Sequence, residues 1–335
     1  MSVLQSEMGR FRDVIDGKVI VLCHHNADPD ALGAAQGVKE LVKALTGSEP
    51  IIVIPDDASV LSRNIASTLG IELYETTAQA ADTYIVVDTG SLNQLGGWER
   101  PLKETDARIV FIDHHLPDSE MYELSTLYLV DPDASSASEL VNRLYMHYDI
   151  KPSEITSIAL LAGIAYDTKH FSLGGPETFK IISSLLEKVG NVSRIKELLS
   201  VPSKQSEKIA RLRAGQRAEI EVVGDWVLAF SRLGSFQSSG ARALLSMGAD
   251  AAVVVGEDKG TLRASLRSKN QFHRLTGIHL GEMVGILASR FNGSGSGHPT
   301  AAGFNGEGGI EDFVKYVKKL FLDELSRLED PSKVL

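Results

Sequence analysis

The chain is short of cysteine. Cys23 is the only one among 335 residues, which excludes an internal disulfide and a cysteine-based zinc site. It also lacks any apolar run long enough to span a bilayer, and its N-terminus lacks a signal-peptide h-region; a cytoplasmic location and no membrane partner are expected. Basic charge is in deficit. Thirty-four Lys and Arg against 44 Asp and Glu leave a net charge of −10, which argues against a broad nucleic-acid track. It leaves room for a small phosphate ligand held beside metal ions and a few local cations. There is no internal repeat and no low-complexity tract. What is present is ordinary globular composition, 43% hydrophobic and 23% charged, and the length predicts two domains.

One stretch organises the rest. Arg108-Ile109-Val110-Phe111-Ile112 reads as a buried parallel strand, and Asp113-His114-His115 stand where it should end. In open α/β sheets the C-terminal strand ends line the ligand crevice, and three metal-capable side chains there are costly to bury unpaired. Other strand ends repeat the pattern. Residues 18–23 form a strand followed by His24-His25-Asn26-Ala27-Asp28-Pro29-Asp30 and a helix over 31–45. His24, Asp28 and Asp30, spaced i, i+4, i+6, can converge in a loop wrapped around a helix start; one of the two carboxylates could instead be the helix N-cap. Strands over 51–55 and 83–87 follow, the second ending in Asp88, for which capping a helix near Leu92 is the alternative. Residues 127–130 are the last strand of this sheet. Asp131 and Asp133 precede Ser135-Ser136 and read as turn and cap residues.

A helical stretch follows. The helix over 152–165 is very apolar and ends near Asp167. A carboxylate at a helix C-terminus opposes the macrodipole, so Asp167 needs a cation, from a metal or from Lys169. After a helix over 176–189, residues 190–218 are charged and read as a helical connector. A second α/β unit has strands over 225–230, 251–255 and 261–267, helices over 238–247, 279–291 and 310–328, and a glycine-rich loop over 292–304. On the 261–267 strand, Arg263, Ser265 and Arg267 share one face. The expected organisation is a parallel-sheet α/β domain over 1–189, the connector over 190–218, and a smaller α/β domain over 219–335.

His24, Asp28, Asp30, Asp88, Asp113, His114, His115 and Asp167 form a mixed imidazole and carboxylate set without thiols. Such a set suits a pair of divalent metals, and imidazole tilts it from magnesium towards manganese, cobalt, iron or zinc. Two metals can generate a hydroxide and clamp the attacking and leaving oxygens of a phosphoryl centre. The residues alone give a metal-assisted hydrolase.

Four motifs in order resemble the DHH family of phosphoesterases: His24 to Asp30, Val87-Asp88-Thr89, Asp113-His114-His115, and Gly163 to Thr168. The stretch Gly295 to Gly303, with Ser265 to Ser268 before it, is similar to the closing motif of the DHH-associated C-terminal domain, except that Ser296 stands where a glycine is expected. The resemblance implies two divalent ions, manganese first, with magnesium or cobalt as alternatives. It implies His24 and Asp28 on one ion, Asp30, His114 and Asp167 on the other, and Asp88 bridging. His115 would face the scissile phosphate, Asp113 would orient a histidine, Asn26 would contact the substrate phosphate, and the nucleophile would be a water shared by the metals. His25 and Cys23 would be structural. Arg267, His298 and the backbone at Gly295 and Gly297 would bind the substrate.

The compact length resembles the nanoRNase and pAp-phosphatase branch. Substrates would be short RNA or DNA oligomers, pAp or linear dinucleotides, with 5′-mononucleotides or AMP as products. Three alternatives stand beside it: a RecJ-like single-strand exonuclease, disfavoured by the acidic charge; an inorganic pyrophosphatase or polyphosphatase; and an inactive nucleotide-binding scaffold subunit. A homodimer is left open.

Overall fold

The apolar runs expected as strands in the first half are strands. The computed structural model describes residues 3–77, 80–200, 204–258 and 260–329, and the chain divides into two units, Met1–Val201 and Pro202–Leu335. The first unit begins α1 (Val3–Val14), β1 (Val19–Leu22), α2 (Pro29–Thr46), β2 (Ile51–Val53), α3 (Val60–Leu69) and β3 (Thr83–Val87). A short 3₁₀ helix (Leu92–Trp98), α4 (Glu99–Glu104), β4 (Arg108–Asp113), α5 (Ser119–Leu124) and β5 (Leu127–Val130) follow. It closes with α6 (Ala137–His147), α7 (Glu154–Asp167), α8 (Pro176–Val189) and α9 (Ser193–Leu198).

The five strands are parallel, in the order β2-β1-β3-β4-β5. Strand order reverses between β1 and β3, and at such a reversal the loops leaving the C-terminal ends part to open a crevice. Both sheet faces are covered, which is why the strands read as continuous apolar runs. Val19, Val21, Val110 and Ile112 join the core made with α2, α6 and α7, while Ile20, Leu22, Ile109 and Phe111 pack with Leu92, Leu95 and Leu102 on the other face. Among the described residues, no helix is long and apolar enough to cross a membrane.

The second unit contains α10 (Gln205–Gln216), β6 (Glu219–Val223), β7 (Trp226–Arg232), α11 (Gln237–Ser246), β8 (Ala251–Asp258), β9 (Thr261–Ser268) and α12 (Asn270–Thr276). It ends with α13 (Leu280–Arg290), β10 (Ser294–His298), β11 (Ala301–Glu307) and α14 (Ile310–Glu329). Its mixed sheet has the order β10-β11-β9-β8-β7-β6, with β7 and β8 the parallel pair. One face holds Leu262, Leu266 and Phe304 against α13 and α14; the other holds Ala252 and Val254 against α10 and α11. The stretch read as a connector splits between the cores. Ile195 of α9 is buried in the first, and Ala210 and Ala214 of α10 in the second.

The segment expected as a glycine-rich loop is a correction. It forms a β-hairpin, β10 to β11, turning at Pro299-Thr300. Glycine is needed there for close packing. A Cβ on Gly295 would lie 2.9 Å from Val284 of α13, and one on Gly281 of α13 would lie 2.5 Å from the Gly297 carbonyl. Gly295 therefore faces α13, and the Gly297 backbone runs close against both Gly281 and Ala302, while Ser294, Ser296 and His298 alternate with these glycines along β10.

Candidate metal centre

The loop after β1 is built by helix capping. Asp28 is the N-cap of α2, its Oδ1 accepting from the N–H groups of Asp30 at 2.8 Å and Ala31 at 3.2 Å. Capping occupies one oxygen, so Asp28 can be both cap and ligand. The ring Nδ1 of His24 donates to the His25 carbonyl at 2.8 Å. That bond leaves Nε2 as the free lone pair, and it lies 3.9 Å from Asp88 Oδ2. His25 anchors the loop, its backbone N–H and its ring Nδ1 both donating to the Gln94 carbonyl at 2.8 Å. Asn26 is exposed, with φ at 55°, a left-handed conformation that asparagine tolerates.

Asp30 is wholly buried. Its Oδ2 accepts from Ala137 N at 2.6 Å and its Oδ1 from Ser138 N at 3.0 Å. Those N–H groups open α6, so the carboxylate rests on the positive end of a helix dipole. The neighbouring glycine follows from this. A Cβ on Gly163 of α7 would collide with Ser138 Oγ and Asp30 Oδ1.

Asp88 caps no helix; the N-cap position of the 3₁₀ helix is Ser91. It sits at the end of β3 with φ at 52°, 5% exposed. A left-handed non-glycine residue persists where its surroundings over-determine it, and here the Asp88 N–H donates to the Ile112 carbonyl at 3.0 Å. The end of β4 supplies the next three groups. Asp113 Oδ1 accepts from the His114 N–H at 2.8 Å and from His115 Nδ1 at 2.7 Å. The ring of His115 lies over Gly90, where a Cβ would stand 3.2 Å from its Cγ. From the end of α7, Asp167 Oδ2 lies 3.1 Å from His114 Nε2. That imidazole, rather than Lys169, faces the carboxylate.

These positions form groups of potential ligand atoms lying within 4.8 Å of one another: His24, Asp28 and Asp88; Asp30, His114 and Asp167; and Asp88 with Asp113, His114 and His115. Asp88 joins the sets. Its Oδ2 faces His24, and its Oδ1 lies 3.5 Å from His114 Nε2. Asp88 Oδ1 is also buried without a hydrogen-bond partner. A buried carboxylate oxygen without a donor is costly, and a cation between the sets would satisfy it.

The electrostatics describe the same deficit of positive charge. Burial, then the charges of Asp88 and Asp167, raise the Asp28 pKa to about 6. The same causes push Asp30 well above the usual carboxylate range. Burial works against a charged His114, but the Asp167 and Asp88 carboxylates outweigh it and raise its pKa to about 11. The proton on His114 thus does part of what a cation would do. Cys23, buried and close to Asp88 and Asp28, has its thiol pKa pushed up, which makes it inert.

In the second unit Arg267 is half-buried. Its Nη1 donates to the Leu266 and Ala302 carbonyls at 2.8 and 3.1 Å, and its Nη2 to Ser238 Oγ at 3.0 Å. It shares a sheet face with His298, the two being aligned on opposite sides of Ala301. Sequence reasoning missed the N–H groups of Ala137 and Ser138, because contacts 107 and 108 residues from Asp30 leave no local signal. It also missed Ser238, whose seryl-rich helix start was the one cue available.

Family models agree with this division. A model of the DHH family N-terminal domain matches residues 18–165, and one of the DHHA1 domain matches residues 238–323. An uncharacterised protein of Methanocaldococcus jannaschii is 33% identical over 92% of this chain and 96% of its own length. A probable bifunctional oligoribonuclease and PAP phosphatase of Streptococcus mutans is 27% identical over 86% of this chain and 89% of its own. The cyclic-di-AMP phosphodiesterase GdpP of Geobacillus thermodenitrificans is 32% identical over 62% of this chain, a match spanning 33% of that longer protein. Among solved structures, an exopolyphosphatase-related protein from Bacteroides fragilis superimposes with a TM-score of 0.62 at 22% identity, covering 97% of this chain and 98% of its own.

Proposed function

Since the chain belongs to the DHH family of phosphoesterases and carries a DHHA1 domain, we propose that it hydrolyses short oligonucleotides to 5′-mononucleotides, with pAp and linear dinucleotides as further substrates. The observation that carries the reading is the placement of Asp88, one oxygen towards His24 and the other, unpartnered, towards His114. His24 and Asp28 would hold one divalent ion, Asp30, His114 and Asp167 a second, and Asp88 both; carboxylate and imidazole donors suit manganese. When bound, such a pair lowers the pKa of a water and neutralises charge developing on the phosphoryl oxygens.

The chain's own residues do the rest. His115 donates a hydrogen bond from Nδ1–H to Asp113, and that bond raises its pKa. In the protonated ring, Nε2–H would be a donor for a non-bridging phosphate oxygen or the leaving oxygen. Asp113 fixes the ring, and the close approach at Gly90 fixes its plane. Arg267 and His298 bind substrate groups other than the reacting phosphate.

Likeness to the oligoribonuclease and PAP phosphatase over nearly its whole length supports the short-substrate reading. The test is a manganese-supplemented time course on 5′-labelled RNA from dinucleotide to long single strands, with free phosphate measured from pAp and pyrophosphate. Rapid loss of the shortest oligomers with long strands nearly untouched is the expected result. Progressive shortening of long strands identifies an exonuclease, phosphate from pyrophosphate alone a pyrophosphatase, and either contradicts the proposal.

A further inference from the structure

Asn142 of α6 and Ser157 of α7 are buried, at 2% and 0% exposure. Asn142 Nδ2 and Ser157 Oγ have no hydrogen-bond partner, and the two residues line one cavity of about 170 Å³ in the first unit. Buried polar groups without partners are costly. Other polar side chains on the cavity wall are committed elsewhere. The Tyr145 hydroxyl donates to the Gly37 carbonyl and the Ser184 hydroxyl to the Ile181 carbonyl, each at 2.8 Å. Tyr145, Ile150, Pro152 and Leu185 supply the apolar surface.

The cavity also borders four exposed side chains, Asp149, Lys151, Glu187 and Lys188. Two are acidic and two basic, and among the described residues none of them forms an ion pair. Such a balance gives an anion no advantage, and a phosphate here would stand beside two carboxylates. The volume is also too small for a nucleotide: a cavity of about 150 Å³ holds a ring the size of benzene. Chemically the cavity is thus distinct from the metal centre, yet two helices join them. The N–H groups of Ala137 and Ser138, which open α6, hold Asp30, and Asn142 lies one turn further along. Helix α7 ends on Asp167, and Ser157 stands about 15 Å back along it.

We propose that this cavity binds a small uncharged molecule bearing a carbonyl oxygen, and that its occupancy tightens the metal centre. The carbonyl accepts from Asn142 Nδ2–H, and the Ser157 hydroxyl, which can donate or accept, bonds a second polar atom of the same molecule. The apolar body packs on Tyr145, Ile150 and Leu185. A molecule bonded to both α6 and α7 restrains the two helices against each other, and with them Asp30 and Asp167. An ion held by those carboxylates gains affinity, and by reciprocity it tightens the small molecule by the same factor. Binding at the cavity is independent of the nucleotide-hydrolase reading; the coupling rests on the metal centre.

The probe is 2-pyrrolidone, a small lactam with a carbonyl acceptor, an N–H donor and an apolar body. Pyrrolidine, cationic at neutral pH and without a carbonyl, is the control. In the metal-free full chain, an NMR titration with 2-pyrrolidone should shift the Asn142 side-chain amide and the Ser157 backbone amide, with a Kd in about the millimolar range. Pyrrolidine should leave both signals in place. Asn142→Leu and Ser157→Ala should each weaken binding by about tenfold. Both variants replace an unpartnered polar atom with carbon, so the ligand-free melting temperature should hold or rise, which separates lost binding from a lost fold. In calorimetry, saturating 2-pyrrolidone should tighten manganese by about twofold or more in the wild type and not in Ser157→Ala. No shift at either residue, equal shifts with pyrrolidine, or undiminished binding in both variants overturns the site. Binding that leaves manganese affinity unchanged overturns the coupling. If manganese does not bind at all, the coupling falls together with the metal-centre reading, while the metal-free titration still decides the cavity.

Discussion

His114 Nε2 lies 3.1 Å from Asp167 Oδ2, a pairing that joins the end of β4 to the end of α7. Asp167 is held where the macrodipole of its own helix is negative. The partner that offsets this is a side chain whose pKa the pairing helps to raise to about 11. Asp167→Asn should therefore act twice. Metal-dependent turnover should fall by roughly a hundredfold, as for loss of a group that holds or tunes a catalytic ion. In the metal-free protein the His114 titration should move down towards its ordinary range, which NMR can follow. An unchanged His114 titration would show that the pairing is not formed in solution.

Metal and pH should be linked with a definite sign. The pKa of Asp28 is raised to about 6, above its unfolded value, and that of Asp30 is also raised. Protonated, these groups contribute stability below the ordinary carboxylate range, and it is lost as pH rises through their folded pKa values. His114 acts with the same sign at higher pH: its contribution is full below its ordinary pKa and is lost progressively as pH rises towards about 11. The carboxylate contributions should thus lower the metal-free melting temperature between about pH 4 and pH 7. Manganese, which must displace these protons, should raise it by several degrees near neutrality and much less near about pH 5. Equal stabilisation at both pH values, measured by scanning calorimetry, contradicts the linkage.

Gly163 is a packing requirement at the site. Gly163→Ala would drive a methyl group into Ser138 Oγ and Asp30 Oδ1, and overpacking of this kind costs about 1–3 kcal/mol. Gly97→Ala, with open space around the new Cβ, should stay within about 0.5 kcal/mol. Denaturant midpoints distinguish them; similar values for the two variants would mean that α7 yields without cost.

His115 is expected to act on the substrate and not on the ions. His115→Ala should lower kcat by roughly a hundredfold or more and leave manganese affinity within about twofold, since its Nδ1 is already committed to Asp113. A large loss of manganese affinity would reassign it as a ligand.

Much of the first unit is legible because its strands are buried on both faces. Runs such as Val19 to Leu22 and Ile109 to Ile112 have no polar interruption until the residue that faces the crevice, so each strand end announces itself. The roles of Asp28 and Asp30 are less legible. A helix cap and a ligand use the same residue types, and Asp28 caps α2 while Asp30 is held by α6, from residues more than a hundred positions away. The hairpin over 294–307 reads as a loop because glycine and serine mark loops locally. What makes it a strand pair is registry with β9 and the close approach of α13, both tertiary. Ser296, the departure from the expected glycine, falls on the open face opposite Gly303, where a side chain has room. Strand β6 is hidden for a related reason. Its Ile220 and Val222 face outward, and its Glu219 and Glu221 pair with Lys318, so its polarity is the reverse of a half-buried strand.

The most direct test of the account is the manganese stoichiometry of the metal-free chain, measured by isothermal titration with elemental analysis of the loaded protein. The account predicts two ions per wild-type chain, and in Asp88→Ala a loss of at least one with hydrolysis abolished and the fold retained by circular dichroism. One ion or none in the wild type, or two undiminished in Asp88→Ala, would contradict the shared-carboxylate centre on which the functional reading stands.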